Sequence, residues 1–268
     1  MLAPGTLQGH TAVVTGGGTG MGLAIAKEFA RLGANVVIAS RKLDVLEQAA
    51  AEIRAGATHG AQVAHHVLDV RQPEAVEAVA AQVAERFGPA DILVNNAAGN
   101  FVVPAAQLSP NGWRTVIDIV LNGTFYCTKA FGQRMMDADK RGSIINLVAT
   151  YAWTGGPGTV HSAAAKAGVL SMTQTLAVEW AAAGIRVNAI APGPIERTGG
   201  ADKLFGMPEV AEAVRKDVPA GRLGTPEEIA WAASYLASDY ASYVNGACLT
   251  VDGGAWLNKG FLKYLETP

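Results

Sequence analysis

The stretch Thr15-Gly16-Gly17-Gly18-Thr19-Gly20-Met21-Gly22 joins a β-branched apolar run to a segment with helical spacing. Glycines at such a junction permit a tight turn and let the backbone approach a pyrophosphate. The following helix would offer unpaired N–H groups and the positive end of its dipole. A dinucleotide is therefore expected there, contacted by Thr15, Gly16, Thr19, Gly20 and Met21. The second apolar run ends in Ala39-Ser40-Arg41-Lys42. NAD binders usually carry an acid at that place for the ribose 2′-hydroxyl. Here Arg41, flanked by Ser40 and Lys42, offers a planar fork to a 2′-phosphate, so the expected cofactor is NADPH. Two more groups could handle charge at a substrate oxygen. Tyr151 leaves the carboxyl end of an apolar run at the edge of the cofactor cleft, and its phenol could donate there. Lys166 stands on a predicted helix in His161-Ser162-Ala163-Ala164-Ala165-Lys166.

The elements that must position these groups are strand-like runs alternating with longer helical stretches. The runs are Thr11–Thr15, Asn35–Ser40, Val63–Val70, Asp91–Asn95, Ser143–Val148, Ile185–Ile190 and Cys248–Asp252. Between the first two, Leu23, Ile25, Ala26, Phe29 and Ala30 share one helical face, with Gly33 as the expected C-cap. Near-continuous apolar strands separated by helices predict a parallel sheet covered on both faces, a Rossmann-type doubly wound α/β fold. Residues 1–268 read as a single domain. A Gly- and Pro-rich region around 191–218 is expected to be a loop that covers the substrate.

Bulk properties exclude several classes. Half of the 268 residues are hydrophobic, enough for one sizeable core. The net charge of −2 and the lack of a basic stripe argue against nucleic acid. No apolar run approaches the roughly 18 residues of a membrane span. Cys127 and Cys248 do not make a disulfide framework and are expected to be buried free thiols, which fits a reducing, cytoplasmic setting. His65 and His66 are adjacent on one run and so face opposite sides, and no metal site is expected.

The glycine string has the spacing TGxxxGxG and resembles that of the short-chain dehydrogenase/reductase family. Asn95-Asn96-Ala97-Ala98-Gly99, Leu121-Asn122-Gly123-Thr124, Ser143-Ile144-Ile145-Asn146, Ala191-Pro192-Gly193-Pro194-Ile195 and Asp252-Gly253-Gly254 follow in the family's order, so the resemblance covers almost the whole chain. It implies that Asp69, Val70, Asn96, Ala97, Pro192, Gly193 and Ile195 also border the cofactor. It further implies that Lys166 holds the nicotinamide ribose. The family's usual tyrosine stands four residues before that lysine, where this chain has Ser162, and its usual serine matches Ala149. Both conventional oxygen-handling groups are absent, while Asn122 and Lys166 remain.

A displaced acid suits a conjugated acyl thioester, where hydride enters a remote carbon and charge travels through double bonds to the thioester oxygen. Within the family the pattern is similar to that of the 2,4-dienoyl-CoA reductases. The similarity implies that Tyr151 and Asn100 hydrogen-bond the thioester oxygen and that Ser162 lies near the nicotinamide. Arg71 and Lys203 would meet CoA, Phe101 and Ser109 would lie on the acyl side, and Asn122 would support the site. The implied activity is NADPH-dependent reduction of 2,4-dienoyl-CoA to 3-enoyl-CoA in unsaturated fatty-acid β-oxidation. The implied assembly is a homotetramer packed through helical stretches near 112–136 and 163–183 and the last strand. A 2-enoyl thioester reductase and a non-catalytic NADPH-binding regulator are the alternatives. The tail from Gly254 to Pro268, with Trp256, Lys259, Phe261 and Lys263, is expected to cover the site or bind a neighbouring subunit.

Overall fold

A computed structural model describes residues 2–205 and 207–260. Phe261 and Lys263 lie outside the described residues. Seven parallel strands form one sheet in the order β3-β2-β1-β4-β5-β6-β7. They are β1 (Thr11–Thr15), β2 (Asn35–Ser40), β3 (Val63–Val67), β4 (Ile92–Asn95), β5 (Gly142–Leu147), β6 (Ile185–Pro192) and β7 (Cys248–Val251). The order reverses direction between β1 and β4, which opens a crevice at their carboxyl ends.

Strand periodicity builds the two cores. Ala12 and Val14 face α1 (Gly20–Arg31), α2 (Leu43–Gly56) and α10 (Pro226–Ala237), packing with Ile25, Phe29, Leu46 and Ile229. Val13, between them in sequence, faces the other way and packs with Val79, Val83, Phe131 and Met135 of α3 (Pro73–Phe87) and α5 (Gly123–Asp137). Burying each such side chain contributes on the order of 1.5–3 kcal/mol, so the register of the central strands is firmly set. The first helix ends at Arg31 with Leu32 as its cap, and Gly33 follows with φ +93°. The expected terminator thus sits one residue beyond the cap, where a left-handed backbone is needed.

Helix α4 (Pro110–Ile117) runs into α5 through a five-residue π-helical turn, Asp118–Asn122. Helix α6 (Tyr151–Thr154) is a single turn after β5, and α7 (Val160–Glu179) follows it. The region expected to be a loop holds two helices, α8 (Gly199–Phe205) and α9 (Pro208–Asp217). Helix α9 starts with Pro208 in its first turn and ends with Arg215 and Lys216 in its last, a helix signature hidden between glycines and prolines. Cys127 is buried as expected, whereas Cys248 on the outer strand β7 is only half-buried. Among the described residues, no helix is long and apolar enough to cross a membrane and no group of metal-ligating side chains converges.

Candidate active site

A cleft of about 700 Å³ opens at the carboxyl ends of β1, β2, β4, β5 and β6. Its floor at the first turn is kept open by glycine. A Cβ on Gly22 would lie 2.3 Å from the carbonyl oxygen of Gly16, and one on Gly16 would lie 2.8 Å from Asn96 Nδ2. Gly16 also has φ +65°, which side-chain-bearing residues rarely adopt. The cleft continues past Ser40, Arg41 and Lys42 to Asp69 and Val70, and its other end reaches Tyr151, Ser162 and Lys166. Arg41 and Lys42 are exposed. A backbone cradle at a helix start, followed by basic side chains one strand away, fits the pyrophosphate and 2′-phosphate of a dinucleotide.

All but one of the residues expected at the cofactor line this cleft. Thr15 is the exception. It is buried, and its hydroxyl accepts from the backbone N–H of Asn96 and of Ala97, both at 3.0 Å. Asn96 Nδ2 in turn donates to the carbonyl of Thr15 at 3.0 Å. Thr15 therefore ties the ends of β1 and β4 together and leaves Gly16 to face the cleft.

The candidate for the displaced acid sits where three segments meet. Tyr151 begins α6 at the end of β5, and Ser162 lies in the first turn of α7. Tyr151 Oη and Ser162 Oγ are 3.1 Å apart. Asn100, on the loop after β4, donates from Nδ2 to Tyr151 Oη at 3.5 Å. Burial pushes the Tyr151 phenol above its ordinary range, and hydrogen bonds with Ser162 and Asn100 oppose that shift. The phenol is therefore protonated at neutral pH and can donate. Lys166 is buried, and its Nζ donates to the carbonyl oxygen of Leu147 at the end of β5. Desolvation lowers its ammonium to about 8.

Other expected site residues are placed differently. Arg71 grips Asp69 through a two-pronged ion pair, with Nε 2.9 Å from Oδ1. This pair, two residues apart in the turn after β3, holds the Asp69 carboxyl below its ordinary range. Arg71 is not among the residues lining the cleft. Ser109 is exposed and caps α4 by accepting from the Gly112 N–H at 3.0 Å, so its hydroxyl serves the helix. Phe101 rests its ring on His161 instead of lining the cleft. Asn122 lies in the π-helical turn and donates to Asp118 Oδ1 at 2.8 Å, its neighbour on the same helical face. Lys203 lies on α8, and its side chain is outside the described residues. Val45 and Ile119 line the cleft and were not expected there. Val45 packs where a Cβ on Gly18 would lie 3.0 Å from its Cγ1, and Ile119 sits in the π-helical turn, its Cδ1 3.4 Å from where a Cβ on Gly99 would lie. Neither carries a sequence signal beyond ordinary helix periodicity.

Known proteins share this fold and much of this sequence. A family model described as Enoyl-(Acyl carrier protein) reductase matches residues 16–255. A Bacillus subtilis (strain 168) protein named "Probable 2,4-dienoyl-CoA reductase", producing (2E)-enoyl-CoA, is 54% identical over 247 residues, 92% of this chain and 96% of that protein. A crystal structure of a short chain dehydrogenase from Bacillus anthracis superposes with a TM-score of 0.87 at 51% identity, covering 95% of this chain and 100% of that one. A "putative 2-deoxy-d-gluconate 3-dehydrogenase" from Agrobacterium tumefaciens, crystallised with bound NADP, gives a TM-score of 0.86 at 37% identity, covering 96% of this chain and 100% of that one. With the family model spanning most of the chain and both fold and sequence shared, the chain belongs to the short-chain dehydrogenase/reductase family.

Proposed function

We propose that this protein is an NADPH-dependent reductase of 2,4-dienoyl-CoA. The observation that carries the reading is the position of the acid. Tyr151 Oη sits between Ser162 Oγ and Asn100 Nδ2, while Ala149 and Ser162 occupy the places of the family's usual serine and tyrosine. The similarity to the Bacillus subtilis relative supports it.

NADPH, when bound, supplies a hydride for the far end of the conjugated chain. Tyr151 and Asn100 then stabilise the negative charge that gathers on the thioester oxygen, as an oxyanion hole does. Lys166 grips the nicotinamide ribose and, as a cation, favours charge on the neighbouring oxygen atoms. Ser162 holds the Tyr151 hydroxyl in place. The resulting dienolate takes a proton from water at Cα, the carbon beside the anchored thioester, which leaves 3-enoyl-CoA. Protonation at Cγ would leave 2-enoyl-CoA, the product named for the Bacillus subtilis relative.

Turnover of 2,4-hexadienoyl-CoA, crotonyl-CoA and acetoacetyl-CoA, followed through NADPH oxidation and product analysis, tests this reading. The dienoyl substrate is expected to be preferred by a wide margin. A preference for crotonyl-CoA would instead make the protein a 2-enoyl thioester reductase. No turnover of any of them, with NADPH bound, would leave it a regulator.

Arg41 supports the choice of NADPH, because it stands exposed at the edge of the cleft one residue after β2. Arg41→Asp is expected to lower the preference for NADPH over NADH by about 10- to 100-fold, the worth of one charge-assisted hydrogen bond of roughly 1.5–3 kcal/mol. Paired kcat/KM values for the two cofactors check this. A homotetramer in a cytoplasmic setting completes the proposal. Phe125 on α5, Val178 on α7 and Leu249 on β7 are exposed apolar side chains on the elements expected to pack between copies.

A further inference from the structure

His161 is fully buried, and its ring nitrogens make no well-formed hydrogen bond, with only a weak one to the Thr159 backbone. Buried polar groups are nearly always well satisfied, so an imidazole this poorly partnered beside the reacting end of the cleft calls for an explanation. Burial lowers its pKa, opposed by the Thr159 backbone, and its place in the first turn of α7 also disfavours a cation. What the ring does contact is Phe101, at 4.4 Å between centroids and a 59° tilt.

Phe101 follows Asn100, and the two segments that carry the oxygen donors are joined here at three points. Asn100 reaches Tyr151 Oη, Phe101 leans on His161, and the Val103 N–H donates to the carbonyl of Gly158 at 2.9 Å. The Phe101 N–H also donates to Asn100 Oδ1 at 2.9 Å. That bond decides which end of the Asn100 amide faces Tyr151, since an amide oxygen held by an N–H leaves the NH₂ free to donate outward. Phe101 therefore orients Asn100 through its backbone, while its own place depends on the ring behind it. Phe101 is itself 37% exposed, with the tip of its ring against Gly112 at the start of α4 and its flat face on His161.

We propose that His161 is a positioning residue, whose flat ring backs Phe101 and thereby fixes the Asn100 amide opposite Tyr151. This inference rests on the proposed role of Asn100 at the thioester oxygen.

The test is a double-mutant cycle of His161→Ala and Phe101→Ala, with His161→Phe as the conservative variant. His161→Ala should lower kcat for 2,4-hexadienoyl-CoA by about 10- to 100-fold, the cost of a misplaced donor, and leave the Kd for NADPH within about twofold. Phe101→Ala should do the same, and the double variant should be no worse than either single one. His161→Phe, which keeps a ring behind Phe101, should recover most of the loss. Hydrogen exchange over residues 99–104 gives a readout that does not depend on turnover, and His161→Ala should lose protection at Val103. Additive losses, equal loss of NADPH binding, no recovery by His161→Phe or unchanged protection at Val103 would each overturn the proposal. Should His161→Ala fail to fold, Phe101→Ala and His161→Phe still decide it through kcat and exchange. If the wild-type protein does not reduce the dienoyl substrate, the functional reading falls, and exchange alone then decides whether His161 holds the loop.

Discussion

Tyr151→Phe is expected to lower kcat for a 2,4-dienoyl-CoA by about 10²–10³-fold, the usual effect of losing one oxyanion donor. The Kd for NADPH should stay within about twofold, because the hydroxyl lies at the substrate end of the cleft. The ring itself remains, so the packing of α6 and the partly buried position of Tyr151 are preserved. What is lost is one O–H and its contacts with Ser162 Oγ and Asn100 Nδ2. Neither of those groups can substitute fully. Ser162 Oγ is buried on α7, and Asn100 Nδ2 approaches from the opposite loop. Because burial raises the Tyr151 phenol above its ordinary value, the donor form persists through neutral and mildly alkaline pH. Activity should therefore show no tyrosine-dependent loss below the ordinary phenol range. Stopped-flow turnover beside equilibrium NADPH titration checks both parts. An equal fall in turnover and cofactor affinity would place the hydroxyl on the cofactor and contradict its assignment to the thioester.

Lys166→Met should give a protein that is more stable without cofactor and nearly inactive with it. The Lys166 ammonium is pushed down by burial from 10.5 to about 8. The unfolded chain thus holds this proton more tightly than the folded one. Folding is penalised most below about pH 8, by roughly 3 kcal/mol for a shift of this size, and the penalty fades as pH rises through 10.5. Methionine has similar length and no charge to desolvate. It forfeits the hydrogen bond to the Leu147 carbonyl, so the net gain at pH 7 is expected at about 1–3 kcal/mol. For a domain of this size that raises Tm by several degrees. The difference from wild type should shrink between pH 8 and 10.5. NADPH should meanwhile raise the variant's Tm far less than the wild type's, since the ribose loses its cation. Thermal unfolding with and without NADPH across that pH range measures all three effects. A lower Tm for the cofactor-free variant at pH 7 would show that the Leu147 contact outweighs the desolvation.

The cofactor half of this site was legible in the sequence because its signals are local. A glycine string between a strand and a helix, and the residues just after the next strand, are neighbours along the chain as well as in space. The same holds for the strands, where apolar, β-branched runs located all seven to within about three residues. A candidate for the displaced acid could also be named, since Tyr151, Ser162 and Lys166 lie within sixteen residues of one another and their spacing departs from the family's.

The tertiary structure decided which side chains turn toward one another. Asn100 meets Tyr151 only because β4 and β5 pair side by side, with Asn95 opposite Asn146, and so bring two loops to one edge. No periodicity along the chain encodes a contact across 51 residues. Thr15, Arg71, Ser109 and Asn122 show the same limit from the other side. Each carries a donor or acceptor of the right kind, and each spends it within the protein: Arg71, Ser109 and Asn122 on partners two to four residues away, and Thr15 on the backbone after β4, more than 80 residues along the chain. Helix α9 was hidden because glycine and proline report on chain breaks and not on what lies between them. His161 had no role until the fold set its ring behind Phe101, since a buried flat surface is a property of packing and leaves no mark in spacing or charge.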